Sequence, residues 1–325
     1  MMKSHKLGLK NGIKISDEYY ERAKRSIGSG TNTFSRAPGV FPDGASPKFL
    51  KKQKGSHTWD VDGNEYIDMV MGCGPVTLGH GHPAINNAIK NQLEDGILYS
   101  MLHPLEVEVA EKLIEVIPSA EMVKISKNGS DVCAASVRLA RHITNRDMIF
   151  CWGYHGFHDW YVATTDRNAG IPESVKDLSK LFEYGDAQAL ENKFKEYEGR
   201  VAAVIMEPII GQRQNCAYQE GSLEKRSFMK PCKSCPQVKF LKQVVDIAHR
   251  NGALVIFDEM ISGFRFAMGG AQEYFGVNPD LSTFGKGITN GMPLGVLVGK
   301  EKYMKEFDKV FLSSTYAPET LTLAA

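Results

Sequence analysis

The stretch Ala253-Leu254-Val255-Ile256-Phe257-Asp258 decides the fold that this sequence predicts. Five consecutive apolar residues are typical of a strand buried on both faces, as in parallel sheets covered by helices. Patterns of this kind alternate with helical patterns along the chain. We predict strands over residues 122–126, 148–152, 201–206, 253–258 and 294–298, and helices over residues 83–95, 104–117, 131–145, 186–198 and 237–251. The alternation predicts an α/β fold with a mostly parallel central sheet and helices on both faces.

The N-terminal part of the chain has a different pattern. It predicts an amphipathic helix over residues 16–27, a Gly/Pro-rich arm over residues 30–44, and a hairpin over residues 58–67. We therefore expect three parts in the chain. They are an N-terminal segment of a small domain (residues 1–70), a large domain with an insert at residues 212–235 (residues 71–312), and the start of a C-terminal part (residues 313–325).

The composition excludes several classes of function. The 39 Lys and Arg residues nearly balance the 38 Asp and Glu residues, so charge does not favour nucleic acid or an anionic membrane as a partner. The chain has no run of about 18 apolar residues, and its N-terminal sequence lacks the apolar core of a signal peptide. Six cysteines are few for 325 residues. We expect a cytoplasmic protein with no nucleic-acid or membrane partner.

Two candidate chemical groups follow neighbouring predicted strands. Asp258, with Glu259 after it, ends the stretch quoted above, and Lys286 follows a further short strand in Ser282-Thr283-Phe284-Gly285-Lys286. A lysine amine can hold an aldehyde cofactor as a Schiff base, and a carboxylate can keep a pyridine nitrogen protonated so that the ring accepts electrons. These are the groups that pyridoxal phosphate (PLP) requires. Lys286 alone is weak evidence, because most lysines are solvated surface residues.

Three other strand ends carry groups that fit the same cofactor. Gly129 and Ser130 precede a helix, where the helix dipole attracts phosphate, although Ser130 could simply cap that helix. Tyr154 could stack on a flat ring or be an ordinary loop aromatic. Glu207 could contact the ring substituents or support the site from behind, and we favour support. Because ligands bind beyond the carboxyl ends of parallel strands, the set together predicts a PLP site.

The chain resembles the class III aminotransferases of PLP fold type I, and most closely the glutamate-1-semialdehyde 2,1-aminomutases among them. The resemblance extends over roughly residues 25–325 and rests on the order and spacing of its motifs. The motifs are Trp59-Asp60-Val61-Asp62-Gly63-Asn64, Tyr66-Ile67-Asp68, Leu78-Gly79-His80-Gly81-His82-Pro83, Lys127-Asn128-Gly129-Ser130-Asp131, Tyr154-His155-Gly156, Ile256-Phe257-Asp258-Glu259, Gly263-Phe264-Arg265, Gly269-Gly270-Ala271-Gln272, Pro279-Asp280-Leu281 and Gly285-Lys286.

The resemblance implies a role for each candidate residue and a homodimer with shared active sites. The implied roles are Schiff base with PLP (Lys286), partner of the pyridine nitrogen (Asp258), phosphate binding (Gly129, Ser130), the two ring faces (Tyr154, Met260), a phosphate contact across the dimer interface (Thr315) and binding of a substrate carboxylate (Arg36). His155 and Glu207 are further candidates for cofactor binding. A solvated loop arginine is the alternative for Arg36.

The implied activity is PLP-dependent transfer of an amino group between an amino donor and a carbonyl substrate. The alternatives are the intramolecular transfer of a glutamate-1-semialdehyde 2,1-aminomutase and a non-catalytic truncated homologue. A nicotinamide dehydrogenase is disfavoured, because no G-x-G-x-x-G motif follows any predicted strand.

Three departures from the family pattern stand out. Cys73 replaces an aromatic residue, so we expect a remodelled pocket and a less common substrate, such as an amino sugar or a small phosphorylated or carboxylated carbonyl compound. The insert contains Cys216, Cys232 and Cys235, which could hold zinc with a fourth ligand; we favour an ordinary surface loop and no metal. The chain also ends within an expected helix, so we expect an incomplete small domain, in either a fragment or a working truncated protein.

Overall fold

The computed structural model describes residues 11–42, 44–209 and 235–325. The chain divides into two compact units, Met1–Asn87 and Ala88–Ala325. No helix within the described ranges combines the length and the apolar character that a membrane span requires. The three-part division expected from the sequence stays a prediction.

The first unit contains helix α1 (Lys14–Ser26) and an antiparallel sheet of β1 (Leu50–Lys54), β2 (His57–Asp60) and β3 (Glu65–Ile67). Helix α1 begins where Asp62, in the β2–β3 turn, accepts hydrogen bonds from the backbone N–H groups of Ile15 at 2.7 Å and Ser16 at 2.9 Å. First-turn N–H groups have no partner inside a helix, so this carboxylate caps α1 from the hairpin. The predicted helix and hairpin are confirmed.

The rest of the chain alternates helices and strands around one seven-stranded sheet. The helices are α2 (Pro83–Asp95), α3 (Pro104–Val116), α4 (Gly129–Thr144), α5 (Asp159–Val162), α6 (Glu173–Lys176), α7 (Ala187–Glu196), α8 (Pro236–Arg250), α9 (Gly270–Phe275), α10 (Glu301–Met304) and α11 (Thr320–Ala324). The strands are β4 (Met122–Ser126), β5 (Met148–Trp152), β6 (Ser179–Leu181), β7 (Val201–Met206), β8 (Leu254–Asp258), β9 (Leu281–Phe284) and β10 (Gly295–Gly299).

The strand directions bring most strand ends to one edge of the sheet. The strand order is β4-β10-β9-β8-β7-β5-β6, and β9, β8, β7, β5 and β6 run parallel. Strand β10 runs antiparallel to both of its neighbours, β9 and β4. Strand β4 therefore points the same way as β9. The carboxyl ends of β4, β5, β7, β8 and β9 consequently meet at the same edge, where ligands bind in open α/β sheets.

Strand β8 shows why both faces of the sheet are covered. Val255 and Phe257 belong to an apolar cluster that includes Leu241 of α8. Ile256 between them belongs to a second cluster, with Leu139 of α4. Alternate residues of a strand point to opposite faces, so a continuous apolar run needs helices on both sides. The predicted architecture is confirmed.

Strands β1, β6 and β9 are missing from the predicted ranges. Strand β6 has only three residues. Strand β9, the short strand expected before Lys286, is fully buried, although its two central residues are polar. Ser282 Oγ lies 3.2 Å from Ser119 Oγ and accepts a hydrogen bond from Gln272 Nε2 at 3.0 Å. Because these polar residues are buried with side-chain partners, the strand carries no continuous apolar signal.

Candidate active site

Asp258 and Lys286 lie at the ends of the neighbouring parallel strands β8 and β9. Asp258 pairs in register with Thr283, and Lys286 follows three residues later. Burial raises the pKa of the Cys133 thiol and of the Glu207 carboxyl, and the positive charge of Lys286 opposes that rise at both groups. The amine therefore acts electrostatically on the groups at this edge of the sheet.

Asp258 is a buried carboxylate with four hydrogen-bonding partners. It is 1% exposed. Its Oδ2 lies 2.7 Å from His155 Nδ1 and 3.4 Å from Cys133 Sγ, and its Oδ1 accepts from the Met260 N–H at 3.0 Å and the Thr283 hydroxyl at 3.4 Å. A buried carboxylate is costly unless donors and a cation surround it. These contacts hold Asp258 in one orientation at the end of β8.

The His155 ring is fixed between two oxygen atoms. Its Nδ1 faces Asp258, and its Nε2 lies 3.0 Å from the Trp152 carbonyl oxygen. A carbonyl can only accept, so Nε2 is the donor to Trp152, and Nδ1 is the ring nitrogen that meets the carboxylate. The ring also meets Tyr161 edge to face, with ring centroids 5.2 Å apart. His155 therefore orients Asp258 and is placed to balance its charge.

The turn into α4 carries Gly129 and the Ser130 hydroxyl just after the end of β4. Asn128, rather than Ser130, caps α4, because its side chain accepts from the Asp131 N–H at 3.2 Å. The simple capping alternative for Ser130 is therefore wrong. Ser130 Oγ instead accepts from the Phe157 N–H at 3.2 Å. A Cβ atom on Gly156, whose φ is +100°, would lie 2.2 Å from Ser130 Oγ, so only glycine fits there.

The Gly285-Lys286 step is shaped by tight packing. A Cβ on Gly285 would lie 2.7 Å from Met260 Sδ, and a Cβ on Gly129 would lie 2.8 Å from the same sulfur. Met260 is buried between these two positions. Lys286 itself has a left-handed backbone with φ +46°, which costs a non-glycine residue roughly 1 kcal/mol or more. Strained backbone of this kind is concentrated at functional sites.

Glu207 and Tyr154 are linked at the ends of β7 and β5. Glu207 Oε1 accepts a hydrogen bond from the Tyr154 N–H at 2.8 Å. The Tyr154 ring is 62% exposed and meets the Tyr161 ring edge to face at 5.5 Å. The Glu207 carboxylate thus holds the backbone of the loop that carries Tyr154, which is the geometry expected of the supporting role.

Glu259, next to Asp258, is occupied differently. Its carboxylate accepts from the Ser262 hydroxyl and from the backbone N–H groups of Ala271 at 2.8 Å and Gln272 at 2.9 Å. Burial raises the pKa of Glu259, and these hydrogen bonds act in the opposite direction. Glu259 is therefore a structural link to the start of α9.

The residues at this edge fit PLP. The phosphate requires a helix N-terminus and hydroxyl donors without obstructing side chains, which Gly129, Ser130 and Gly156 provide. A pyridine nitrogen requires a fixed carboxylate, and the aldehyde requires an amine. Asp258 and Lys286 supply these two groups at the ends of adjacent strands.

Two predicted site residues, Thr315 and Arg36, are described separately from the residues above. Thr315 is exposed in the second unit. Arg36 belongs to the first unit, where its Nη2 donates to the Gly72 carbonyl at 2.9 Å, and Ser35 Oγ lies 3.5 Å from Cys73 Sγ. The roles of Thr315 and Arg36 stay predictions.

The insert falls almost wholly outside the described residues, including Cys216 and Cys232. Cys235 is described, and it is buried in the apolar cluster at the start of α8. The expectation that Cys235 belongs to a surface loop is therefore wrong, because α8 draws it into the core. Among the described residues no group of three or more His, Cys, Asp or Glu residues could hold a metal ion. The zinc hypothesis, which involves Cys216 and Cys232, falls on residues outside the described ranges.

Cys133 and Thr283 are two site residues that the sequence reasoning missed. Both contact Asp258, and their side chains lie 3.5 Å apart. Thr283 could have been found from the register of β8 and β9, once both strands were known. Cys133 carries no comparable signal, because it resembles an ordinary buried thiol on α4.

Solved structures share this fold. The FumI protein of Sphingopyxis sp. MTA144, in its PLP internal aldimine form, has a TM-score of 0.82 at 28% identity, over 95% of this chain and 70% of that one. An omega-transaminase from Sphaerobacter thermophilus has a TM-score of 0.81 at 26% identity, with the same coverage. The fold and the site together define a PLP-dependent transaminase of fold type I.

Sequence comparison gives the family. The aminotransferase class-III family model matches residues 41–227 and 233–325. A glutamate-1-semialdehyde 2,1-aminomutase from Sulfurihydrogenibium azorense is 35% identical over 324 residues, covering 95% of this chain and 71% of the relative. A 3-aminobutyryl-CoA aminotransferase from Cloacimonas acidaminovorans is 37% identical over 303 residues, covering 93% and 68%. The chain belongs to the class III aminotransferases, and the predicted family, fold class and cofactor are confirmed.

Proposed function

We propose that this chain is an enzyme that uses PLP to transfer an amino group from an amino donor to a carbonyl acceptor. The observation that carries the proposal is the buried Asp258 carboxylate, fixed by His155 at the end of β8, beside the strand that leads to Lys286. A carboxylate and an amine on adjacent strand ends are the two groups that this chemistry cannot lack.

Each site residue would have a separate role, set by its position. When bound, PLP supplies an electron sink for the carbanion that forms at the amino-bearing carbon. Asp258 would hold a proton on the ring nitrogen, and His155 would keep the carboxylate in place and charged. Lys286 Nζ would hold the cofactor aldehyde, and the same amine would move the proton at the substrate carbon. Ser130 and Gly129 would bind the phosphate, and Tyr154 would lie against the ring.

The visible spectrum with amino donors tests the proposal. Protein loaded with PLP should show a visible band that changes when the correct donor is added, with release of one keto product per changed cofactor. Lys286→Ala should lose the lysine-dependent band, whereas Lys239→Ala, an exposed lysine on α8, should behave like the unaltered protein. A chain that binds no PLP, or whose band no donor changes, would instead be the non-catalytic homologue.

Intramolecular amino transfer is the second candidate. Its support is the aminomutase from Sulfurihydrogenibium azorense, which is 35% identical. The two activities differ in the fate of the keto compound: a transferase releases it, whereas an aminomutase retains it. A single-turnover experiment that measures free keto product therefore separates them. We favour transfer, because Cys73 stands where the aminomutase pattern has an aromatic residue.

We also propose a cytoplasmic homodimer with shared active sites. The support for a dimer is an apolar surface between α2 and α3, where Met101 is 83% exposed and Leu102 is 86% exposed, together with the exposed Thr315. Contiguous exposed apolar surface commonly marks an interface. The support for the cytoplasm is that Cys73, Cys133, Cys151 and Cys235 form no disulfide, as in a reducing compartment. Light scattering of the PLP-loaded protein should give twice the chain mass; a monomer that binds PLP tightly would contradict the shared site.

A further inference from the structure

An ion pair ties the approach to α4 to the last helix of the chain. Lys127, which stands between β4 and Asn128, places its Nζ 2.9 Å from Glu319 Oε2. The two side chains are only 16% and 14% exposed. Pairs that are mostly removed from solvent are screened less by salt than surface pairs, so this contact is energetically relevant.

Glu319 is itself held in place by the helix that it caps. Its Oε1 accepts from the backbone N–H groups of Leu321 at 2.6 Å and Thr322 at 3.3 Å, and its Oε2 also accepts from the Thr322 hydroxyl at 2.7 Å. Leu323 in the same helix is buried in an apolar cluster with Leu113 of α3. The carboxylate therefore meets Lys127 from a docked position and not from a free side chain.

The pair stands between the two segments that carry predicted phosphate contacts. Ser130 follows Lys127 by three residues, and Thr315 precedes Glu319 by four. The backbone between Thr315 and Glu319 is compact, because the Ala317 N–H donates to the Ser314 carbonyl at 3.1 Å and the Glu319 N–H donates to the Tyr316 carbonyl at 3.1 Å. A displacement of Glu319 would thus move the segment that contains Thr315.

We propose that Lys127 and Glu319 form a positioning pair that couples the turn at residues 128–130 to the segment at residues 314–319, so that phosphate binding at the turn and order in the segment reinforce each other. The inference rests on the proposed function, since it takes Gly129 and Ser130 as the phosphate site. Neither side chain needs to touch the cofactor. Coupling of this kind is reciprocal. If an ordered segment raises the affinity for the cofactor, then the bound cofactor stabilises the ordered segment by the same free energy.

A double-mutant cycle on cofactor binding tests the pair. The variants are Lys127→Met, Glu319→Gln and the double variant, and the measured quantity is the dissociation constant of the cofactor-free protein for PLP and, separately, for pyridoxal, which lacks the phosphate. Each single variant should bind PLP roughly tenfold more weakly, which is the usual effect of losing a charge-assisted hydrogen bond. The double variant should bind PLP about as tightly as the single variant with the lower affinity. Pyridoxal binding should stay within about threefold.

A matched pair and a second readout complete the test. Lys112→Met with Glu115→Gln removes an exposed pair on α3, with side chains 66% and 67% exposed, and should leave both constants unchanged. Addition of PLP to the unaltered protein should slow hydrogen exchange at residues 314–324, and Lys127→Met should abolish that protection.

Three results would overturn the inference: additive effects in the cycle, equal weakening of PLP and pyridoxal, or no PLP-dependent protection of residues 314–324. Failure of the proposed function looks different, because the unaltered protein would then bind no PLP, or would bind PLP whose visible band no amino donor changes. If the Lys127→Met variant does not fold, the hydrogen-exchange measurement on the unaltered protein tests the inference.

Discussion

Asp258 and Glu259 are adjacent, both are buried, and both are carboxylates, yet their surroundings differ. Asp258 faces His155, Cys133 and Thr283 at the edge of the sheet where Lys286 emerges. Glu259 points away, into the start of α9, where backbone N–H groups and a hydroxyl take up its oxygens.

The difference separates a chemical carboxylate from a structural one. Asp258 is paired with the His155 ring at the edge of the sheet where Lys286 follows β9, so it is placed to act on a group bound there. Glu259 is paired with neutral donors inside the protein, so it contributes to the fold. The sequence presents the two as one Asp-Glu dipeptide, and only their partners assign the roles.

Asp258→Asn should produce the largest effect on activity. The amide keeps the shape but removes the charge that would hold the ring nitrogen protonated, so the amino-donor half-reaction should slow at least about a thousandfold. PLP should still bind. Stopped-flow spectroscopy of the cofactor band measures the rate, and Asp246→Asn, an exposed change on α8, is the control. Near-normal turnover in Asp258→Asn would show that a group other than Asp258 keeps the ring nitrogen protonated.

Glu259→Gln should mainly affect stability. An amide nitrogen would face the N–H groups of Ala271 or Gln272, leaving a buried donor without an acceptor, so the free energy of unfolding should fall by about 1–3 kcal/mol. The half-reaction rate at low temperature should change much less than in Asp258→Asn. Denaturant unfolding beside Glu198→Gln, an exposed substitution, provides the comparison. Unchanged stability combined with lost activity would reverse the two roles.

Substitution of Cys133 should have the smallest effect of the three, and it tests whether the thiol supports Asp258. Burial, followed by the charge of Asp258, raises the pKa of this thiol, so it stays protonated and donates to the carboxylate. Cys133→Val removes the donor at similar volume and should slow the half-reaction roughly two- to tenfold, whereas Cys133→Ser keeps a donor and should stay within about threefold. A valine variant as fast as the unaltered protein would show that the thiol only fills space.

The fold could be predicted where burial alone decides it. The runs at residues 201–206 and 253–257 are apolar throughout, and the structure contains strands Val201–Met206 and Leu254–Asp258. The short strand β9 was expected before Lys286, but its burial required tertiary knowledge, because Ser282 becomes a core residue only when Ser119 and Gln272 are beside it.

Some site residues could likewise be predicted from the sequence, and others could not. Asp258 and Lys286 could be predicted, since strand ends in a parallel sheet converge and the two residue types match one cofactor. The residue pattern alone does not distinguish Asp258 from Glu259, because the distinction depends on which face of the turn each side chain enters. The family resemblance supplied it. The contribution of Cys133 depends on an approach of α4 to β8 that no local pattern records.

Borohydride reduction followed by peptide mapping tests the central claim most directly. The claim is that the edge formed by β8 and β9 is a PLP site with Lys286 as its amine. Reduction of the PLP-loaded protein should fix the cofactor on a single peptide, the one containing Lys286, and Lys286→Ala should carry no fixed cofactor. Fixed cofactor on Lys127 or any other lysine, or a Lys286→Ala protein with undiminished fixed cofactor, would contradict the account.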